Sequence, residues 1–143
     1  MGEMQSSGAT ADLPEPDEQE LAVRPLSVTG AEGPLAARLY TPAGSRGDGL
    51  IVFFPGGGFV ADELEQANFI LRLLALRTGW LVLGSSYTPA SVCPFPAAAE
   101  DAHAVLCWVG RNRRKLGWSG RKLVSAGIES GGNLAAVSAL MAR

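Results

Sequence analysis

Two short stretches of this sequence hold the residue types from which acyl-transfer chemistry is built. Gly127-Ile128-Glu129-Ser130-Gly131-Gly132-Asn133 sets a carboxylate and a hydroxyl side by side between glycines. Small flanking residues permit a sharp turn that presents a reactive group, provided a strand leads in and a helix leads out. Gly56-Gly57-Gly58 offers consecutive backbone N–H groups with no side chains in the way, the material of an oxyanion hole. The sequence has one histidine, His103, so a Ser-His-acid relay within this chain uses that residue or none. The two cysteines, Cys93 and Cys107, are too few for a disulfide framework, lack zinc-ligand spacing and read as small buried thiols. No cofactor and no metal is expected.

The first glycine stretch has a competing interpretation. Gly56-Gly57-Gly58-Phe59-Val60-Ala61 formally matches G-x-G-x-x-A, the turn that receives a dinucleotide pyrophosphate. The next strand candidate, however, ends in Gly84-Ser85-Ser86, with no carboxylate for a ribose hydroxyl. The following helix opens with Asp62, Glu63 and Glu65, which repel a pyrophosphate at the site where a helix N-terminus would attract it. Nucleotide binding is therefore not expected.

Both turns need strands to carry them. Leu21–Val28 and Leu35–Tyr40 are short strand candidates joined by the turn at 30–34, an antiparallel hairpin. The unbroken apolar run Leu50–Phe54 fits a parallel strand buried on both faces, and it ends abruptly at Pro55 and the three glycines. Residues 63–78 follow a helical period through Leu64, Ala67, Ile70/Leu71, Leu74 and Thr78, with Asp62 as N-cap and Gly79 at the C-terminal end. Leu81–Leu83 is a second buried strand, Ala97 to about Leu116 a second helix, and Leu123–Ala126 a third strand. A third helix begins near Asn133. This alternation implies an α/β fold with an open, mostly parallel sheet, right-handed crossovers and an antiparallel N-terminal hairpin. Its glycine turns fall at the carboxyl ends of strands, where such sheets bind ligands.

Composition limits the remaining possibilities. A chain of 143 residues allows one domain, and 47% apolar with 18% charged residues is too hydrophobic for disorder throughout. The 18 glycines and 9 prolines follow no collagen-like period and fit tight turns. Net charge is −2, unevenly spread: residues 1–21 contain six acidic residues and no Lys or Arg, and read as a disordered acidic tail preceding a domain over 22–143. Half of the 12 basic residues fall in Arg111, Arg113, Arg114, Lys115, Arg121 and Lys122, expected as the solvated end of a helix and its loop. No aromatic interleaving accompanies them, so nucleic acid is not an expected partner. No apolar run approaches the roughly 18 residues of a membrane span, and the N-terminus lacks the basic start and apolar core of a secretory signal. A cytoplasmic location is the default expectation.

Three motifs then carry a resemblance. Phe53-Phe54-Pro55-Gly56-Gly57-Gly58-Phe59 resembles the H-G-G-G-F loop of the hormone-sensitive-lipase-like esterases, a branch of the α/β-hydrolase fold. Pro94-Phe95-Pro96-Ala97-Ala98-Ala99-Glu100-Asp101 is similar to their P-F-P-A-A-x-x-D segment, with Tyr87 and Trp108 at suitable distances, and Gly127–Ala136 is similar to G-D-S-A-G-G-N-L-A-A. The resemblance runs over residues 22–143 and implies a partial α/β-hydrolase fold ending just after the nucleophile elbow, with carboxylic esters as the substrate class.

The same resemblance locates departures from the family. It puts Glu129 at the serine nucleophile and Ile128 at the preceding aspartate. Ser130 falls one position on, where the backbone N–H serves the oxyanion, and a frame shifted by one would misplace Gly127 and Gly131. Gly57 and Gly58 keep their oxyanion-hole N–H groups, while Pro55 replaces the loop histidine and loses its side-chain hydrogen bonds. A carboxylate nucleophile at Glu129 would still need a histidine; His103 lies on the second helix, where the family has ordinary packing residues. The family's acid and histidine follow the elbow in segments this chain does not reach. The expectation is an esterase-family chain without ester turnover. The alternative is a non-catalytic binding or interaction module, in which Glu129 beside Gly57 and Gly58 favours a cationic or hydrogen-bond-donating ligand over an ester. The strand Leu123–Ala126 is expected to present an open sheet edge suited to self-association or to a complementing fragment.

Overall fold

A computed structural model describes residues 21–55, 67–87 and 97–127, together with positions 135, 136 and 139. Five strands form one sheet: β1 (Leu21–Thr29), β2 (Pro34–Pro42), β3 (Gly49–Phe54), β4 (Leu81–Ser85) and β5 (Lys122–Gly127). Helices α1 (Asn68–Thr78), α2 (Ala97–Arg111) and the short α3 (Arg113–Leu116) complete the described elements. The strand order is β1-β2-β4-β3-β5. The expected hairpin is present, with Leu21 opposite Pro42 and Thr29 opposite Pro34. Strand β2 continues antiparallel to β4, while β3 is parallel to both β4 and β5, so the sheet is mixed.

The apolar run of β3 is buried at every position because the sheet is covered on both faces. Leu50, Val52 and Phe54 pack into one core with Leu81, Leu83, Leu39 and the α2 residues Ala102, Val105 and Val109. Ile51 and Phe53 point the other way, into a second core with Val82, Tyr40 and the α1 residues Leu71 and Ala75. The period-two alternation of a strand divides the two sets. Opposite faces also follow from handedness: the β3–α1–β4 crossover moves across the sheet in one direction and β4–α2–β5 returns in the other, so right-handed connections place their helices on opposite sides.

Two helix boundaries and the burial of one helical residue differ from expectation. The N-cap of α1 is Ala67, with no side-chain cap, while Asp62 lies outside the described residues. Thr78, expected on the buried stripe, is exposed; its Oγ1 donates to Leu74 O at 2.6 Å and accepts from Trp80 N–H, closing the helix end. The buried position there is Ala75. Gly79 does terminate α1 as expected, at φ 71°, its N–H bonded to Ala75 O. The single helix expected over 97–116 is interrupted at Asn112, whose side-chain Nδ2 donates to Trp108 O at 2.8 Å, beside its own backbone N–H. A side chain that bonds its own helix backbone competes with propagation, and the chain restarts as α3. Ala135, Ala136 and Ala139 are helical, consistent with a third helix after the second glycine turn.

Candidate functional site

The strands that carry the two glycine turns are adjacent and in register. In the β3–β5 ladder Phe54 stands opposite Gly127, the last residue of each strand. Parallel neighbours lie about 4.8 Å apart, so the turns depart from side-by-side points at the carboxyl edge of the sheet. Gly56, Gly57, Gly58, Glu129 and Ser130 lie outside the described residues, as does Cys93. The described geometry is therefore that of the framework that leads into these residues.

That framework is tied down by side chains from elsewhere in the chain. Pro55, buried immediately after β3, has its carbonyl bonded by Tyr87 Oη at 2.7 Å in a buried contact. Proline removes an N–H but leaves a carbonyl, and a buried carbonyl requires a partner. Tyr87, just beyond β4, supplies it and fixes where the first turn begins. On the other strand, Ser125 Oγ donates to Ala135 O at 2.7 Å, linking β5 to the helical residues beyond the second turn. Motif comparison had singled out Tyr87 by spacing alone; nothing in the sequence signalled its partner 32 residues earlier, or the role of Ser125.

Asp101, the last residue of the proline-phenylalanine-rich motif, is 1% exposed. Its Oδ1 accepts the backbone N–H of Ala31 at 2.9 Å and so fastens the β1–β2 turn to α2. Gly30 belongs to the same joint: a Cβ there would lie 2.6 Å from Leu35 Cδ1 and 2.9 Å from Asp101 Oδ1. This aspartate is a structural anchor.

His103 occupies a half-buried place on α2, as expected. Its Nε2 lies 3.7 Å from Cys107 Sγ, and its Nδ1 is buried without a hydrogen-bond partner. Both residues line a groove with Thr29, Gly30, Trp108 and Arg111, beside the β1 edge of the sheet. Strand β1 is four inter-strand spacings from β5, roughly 19 Å. The lone histidine is thus not brought to the end of β5. Cys107 is a free thiol, half-buried rather than fully buried. Among the described residues no group of three or more His, Cys, Asp or Glu could hold a metal ion, and no helix is long and apolar enough to cross a membrane.

Chemically, the arrangement is a parallel strand pair whose adjacent ends lead into Gly56-Gly57-Gly58 and into Ile128-Glu129-Ser130-Gly131-Gly132. Comparison with known proteins places it. A family model described as the alpha/beta hydrolase fold matches residues 51–143. The chain is 35% identical over 136 residues to esterase LipI of Mycobacterium tuberculosis, covering 92% of this chain and 42% of that protein. It is 35% identical over 118 residues to hormone-sensitive lipase of Ictidomys tridecemlineatus, covering 81% of this chain and 16% of that protein. An esterase structure from Pyrobaculum calidifontis superposes with a TM-score of 0.80 at 40% identity, over 85% of this chain and 40% of that one. The chain thus spans less than half the length of each of these relatives.

Proposed function

Because this chain belongs to the α/β-hydrolase fold family, in its hormone-sensitive-lipase-like carboxylesterase branch, we propose that its ligand site lies between the two glycine turns and takes carboxylic esters or close analogues without acyl-serine turnover. The observation that carries this is the sequence of the second turn. Gly127-Ile128-Glu129-Ser130-Gly131-Gly132 follows β5 directly, and the esterase pattern puts its serine nucleophile where Glu129 stands. A carboxylate at that position repels the developing oxyanion that Gly57, Gly58 and the Ser130 N–H would otherwise hold. The Ser130 hydroxyl is one residue past the position that the esterase pattern gives its serine nucleophile. An oxyanion hole without a nucleophile has no intermediate to stabilise.

The test is hydrolysis of a short-chain p-nitrophenyl ester together with labelling by a fluorophosphonate. The expected result is no hydrolysis above the uncatalysed rate and no phosphonate adduct on Ser130. Rapid hydrolysis abolished by Ser130→Ala would overturn the proposal, and hydrolysis abolished by Glu129→Gln would assign the attack to the carboxylate instead.

A second reading, a binding module for cationic or hydrogen-bond-donating ligands, is favoured by the same carboxylate, which follows a strand adjacent to the one that precedes Gly56-Gly57-Gly58. A thermal-shift comparison separates the two. Stabilisation by amines that is lost in Glu129→Gln supports the binder, whereas stabilisation by ester analogues alone removes its basis.

A further inference from the structure

The basic cluster noted in the sequence is exposed, and three of its arginines line one groove. Arg111 ends α2, Arg113, Arg114 and Lys115 lie on α3, and Arg121 and Lys122 lead into β5; all six are exposed. A groove of about 380 Å³ between these elements is lined by Gly110, Arg111, Arg113, Arg114, Trp118 and Ser119. Between Asp101 and Glu129 the chain contains no Asp or Glu. Asp48 meets this surface through its backbone, its carbonyl accepting the Lys122 N–H at 3.1 Å.

One contact shows what reaches this surface. Arg24 of β1 donates from Nη2 to Lys115 O at 2.8 Å. Strand β1 runs parallel to β3, β4 and β5, so all four begin at the same end of the sheet, away from the glycine turns. Residue 20 is four positions before Arg24, at most about 14 Å of extended chain. The segment that must leave from there carries Asp12, Glu15, Asp17, Glu18 and Glu20, with no compensating cation.

We propose that the acidic segment 12–20 docks in cis across the basic surface made by the end of α2, α3 and the start of β5. Nine residues span up to about 30 Å, enough to cross α3 and enter the groove beside Trp118. The tether holds the opposite charges at an effective concentration in the millimolar range. Single exposed ion pairs are weak, but five carboxylates facing six cations form a network, and the contact is screened by salt over a Debye length of about 8 Å. Docking there would keep this face from other polyanions. The segment thereby works at the end of the sheet opposite the ligand turns.

Lys115 and Lys122 are the only lysines in the chain, which makes zero-length carbodiimide crosslinking a direct readout. The expected products are intramolecular links from peptides containing Glu15–Glu20 to Lys115 or Lys122, lost in 1 M NaCl and at least fivefold weaker in Arg111→Gln/Arg114→Gln. Links confined to Asp48, links between molecules, or links unchanged by salt would overturn the proposal. A second variant changes only the segment: D12N/E15Q/D17N/E18Q/E20Q is expected to elute from immobilised heparin at higher salt than the parent. Equal elution would show that the basic surface is already free, and would equally overturn it.

Discussion

Phe54 and Gly127 stand opposite each other at the ends of neighbouring parallel strands, although 73 positions separate them in sequence. The chain lays β4 on one side of β3 and then crosses back to put β5 on the other. That return brings the triple-glycine turn and the Glu129 turn to one edge. The relative placement of the two strand ends rests on this register, with the Tyr87–Pro55 and Ser125–Ala135 bonds beside it.

Tyr87→Phe tests the bond that fixes the first turn. The ring stays and the hydroxyl goes, leaving the buried Pro55 carbonyl unpaired. An unsatisfied buried acceptor costs about 1–3 kcal/mol. The variant should unfold at lower urea with an unchanged m-value, and a denaturation midpoint equal to the parent's would show that water replaces the phenol there.

Two glycine substitutions should have opposite signs. Gly30→Ala drives a methyl group against Leu35 Cδ1, Asp101 Oδ1 and the carbonyl of Gly33, all within 2.9 Å, and so strains the Ala31–Asp101 bond. Overpacking of this kind costs about 1–3 kcal/mol. Gly110→Ala sits in α2, where an added Cβ meets nothing within 4 Å. Replacing a helical glycine with alanine stabilises by about 0.5–1 kcal/mol. Thermal melts of the pair should bracket the parent, and a destabilised Gly110→Ala would contradict the open space above that helix turn.

Local patterning reveals the parts of this architecture that obey a single rule. The five apolar residues Leu50–Phe54 fit a strand covered on both faces, and Gly79 fits the end of α1; both are found so. Sequence reading missed the places where a side chain overrides its own segment or reaches a distant one. Asn112 breaks a helix whose apolar period continues past it, because its amide takes the Trp108 carbonyl. Thr78 sits on the helical period yet closes the helix end in solvent. The bonds Tyr87–Pro55, Asp101–Ala31 and Ser125–Ala135 span 32, 70 and 10 residues, and no periodicity encodes a partner at such separations. The candidate site itself was legible as two glycine-rich turns because glycine runs after buried strands are rare and have few purposes.

His103→Ala should leave hydrolysis and phosphonate labelling as they are in the parent. The imidazole packs beside Cys107 near the β1 edge, and the end of β5 lies across four strand spacings. Rate and adduct yield measured side by side decide this. Hydrolysis by the parent above the uncatalysed rate that disappears in the folded variant would place His103 in the chemistry.

The β5 edge should govern self-association. Among the described residues β5 pairs only with β3, and Leu123 and Val124 are each 43% exposed. An apolar strand with a free row of N–H and C=O groups recruits another strand, and a second copy of the same edge satisfies both. Adjacent residues of a strand face opposite sides of the sheet, so Leu123→Lys and Val124→Lys charge the two faces separately. Light scattering across a concentration series should show the parent associating and both variants shifted towards monomer, with little change in melting temperature because neither side chain is buried. A parent that stays monomeric at high concentration would mean that the edge is covered, and the two variants would then be indistinguishable from it.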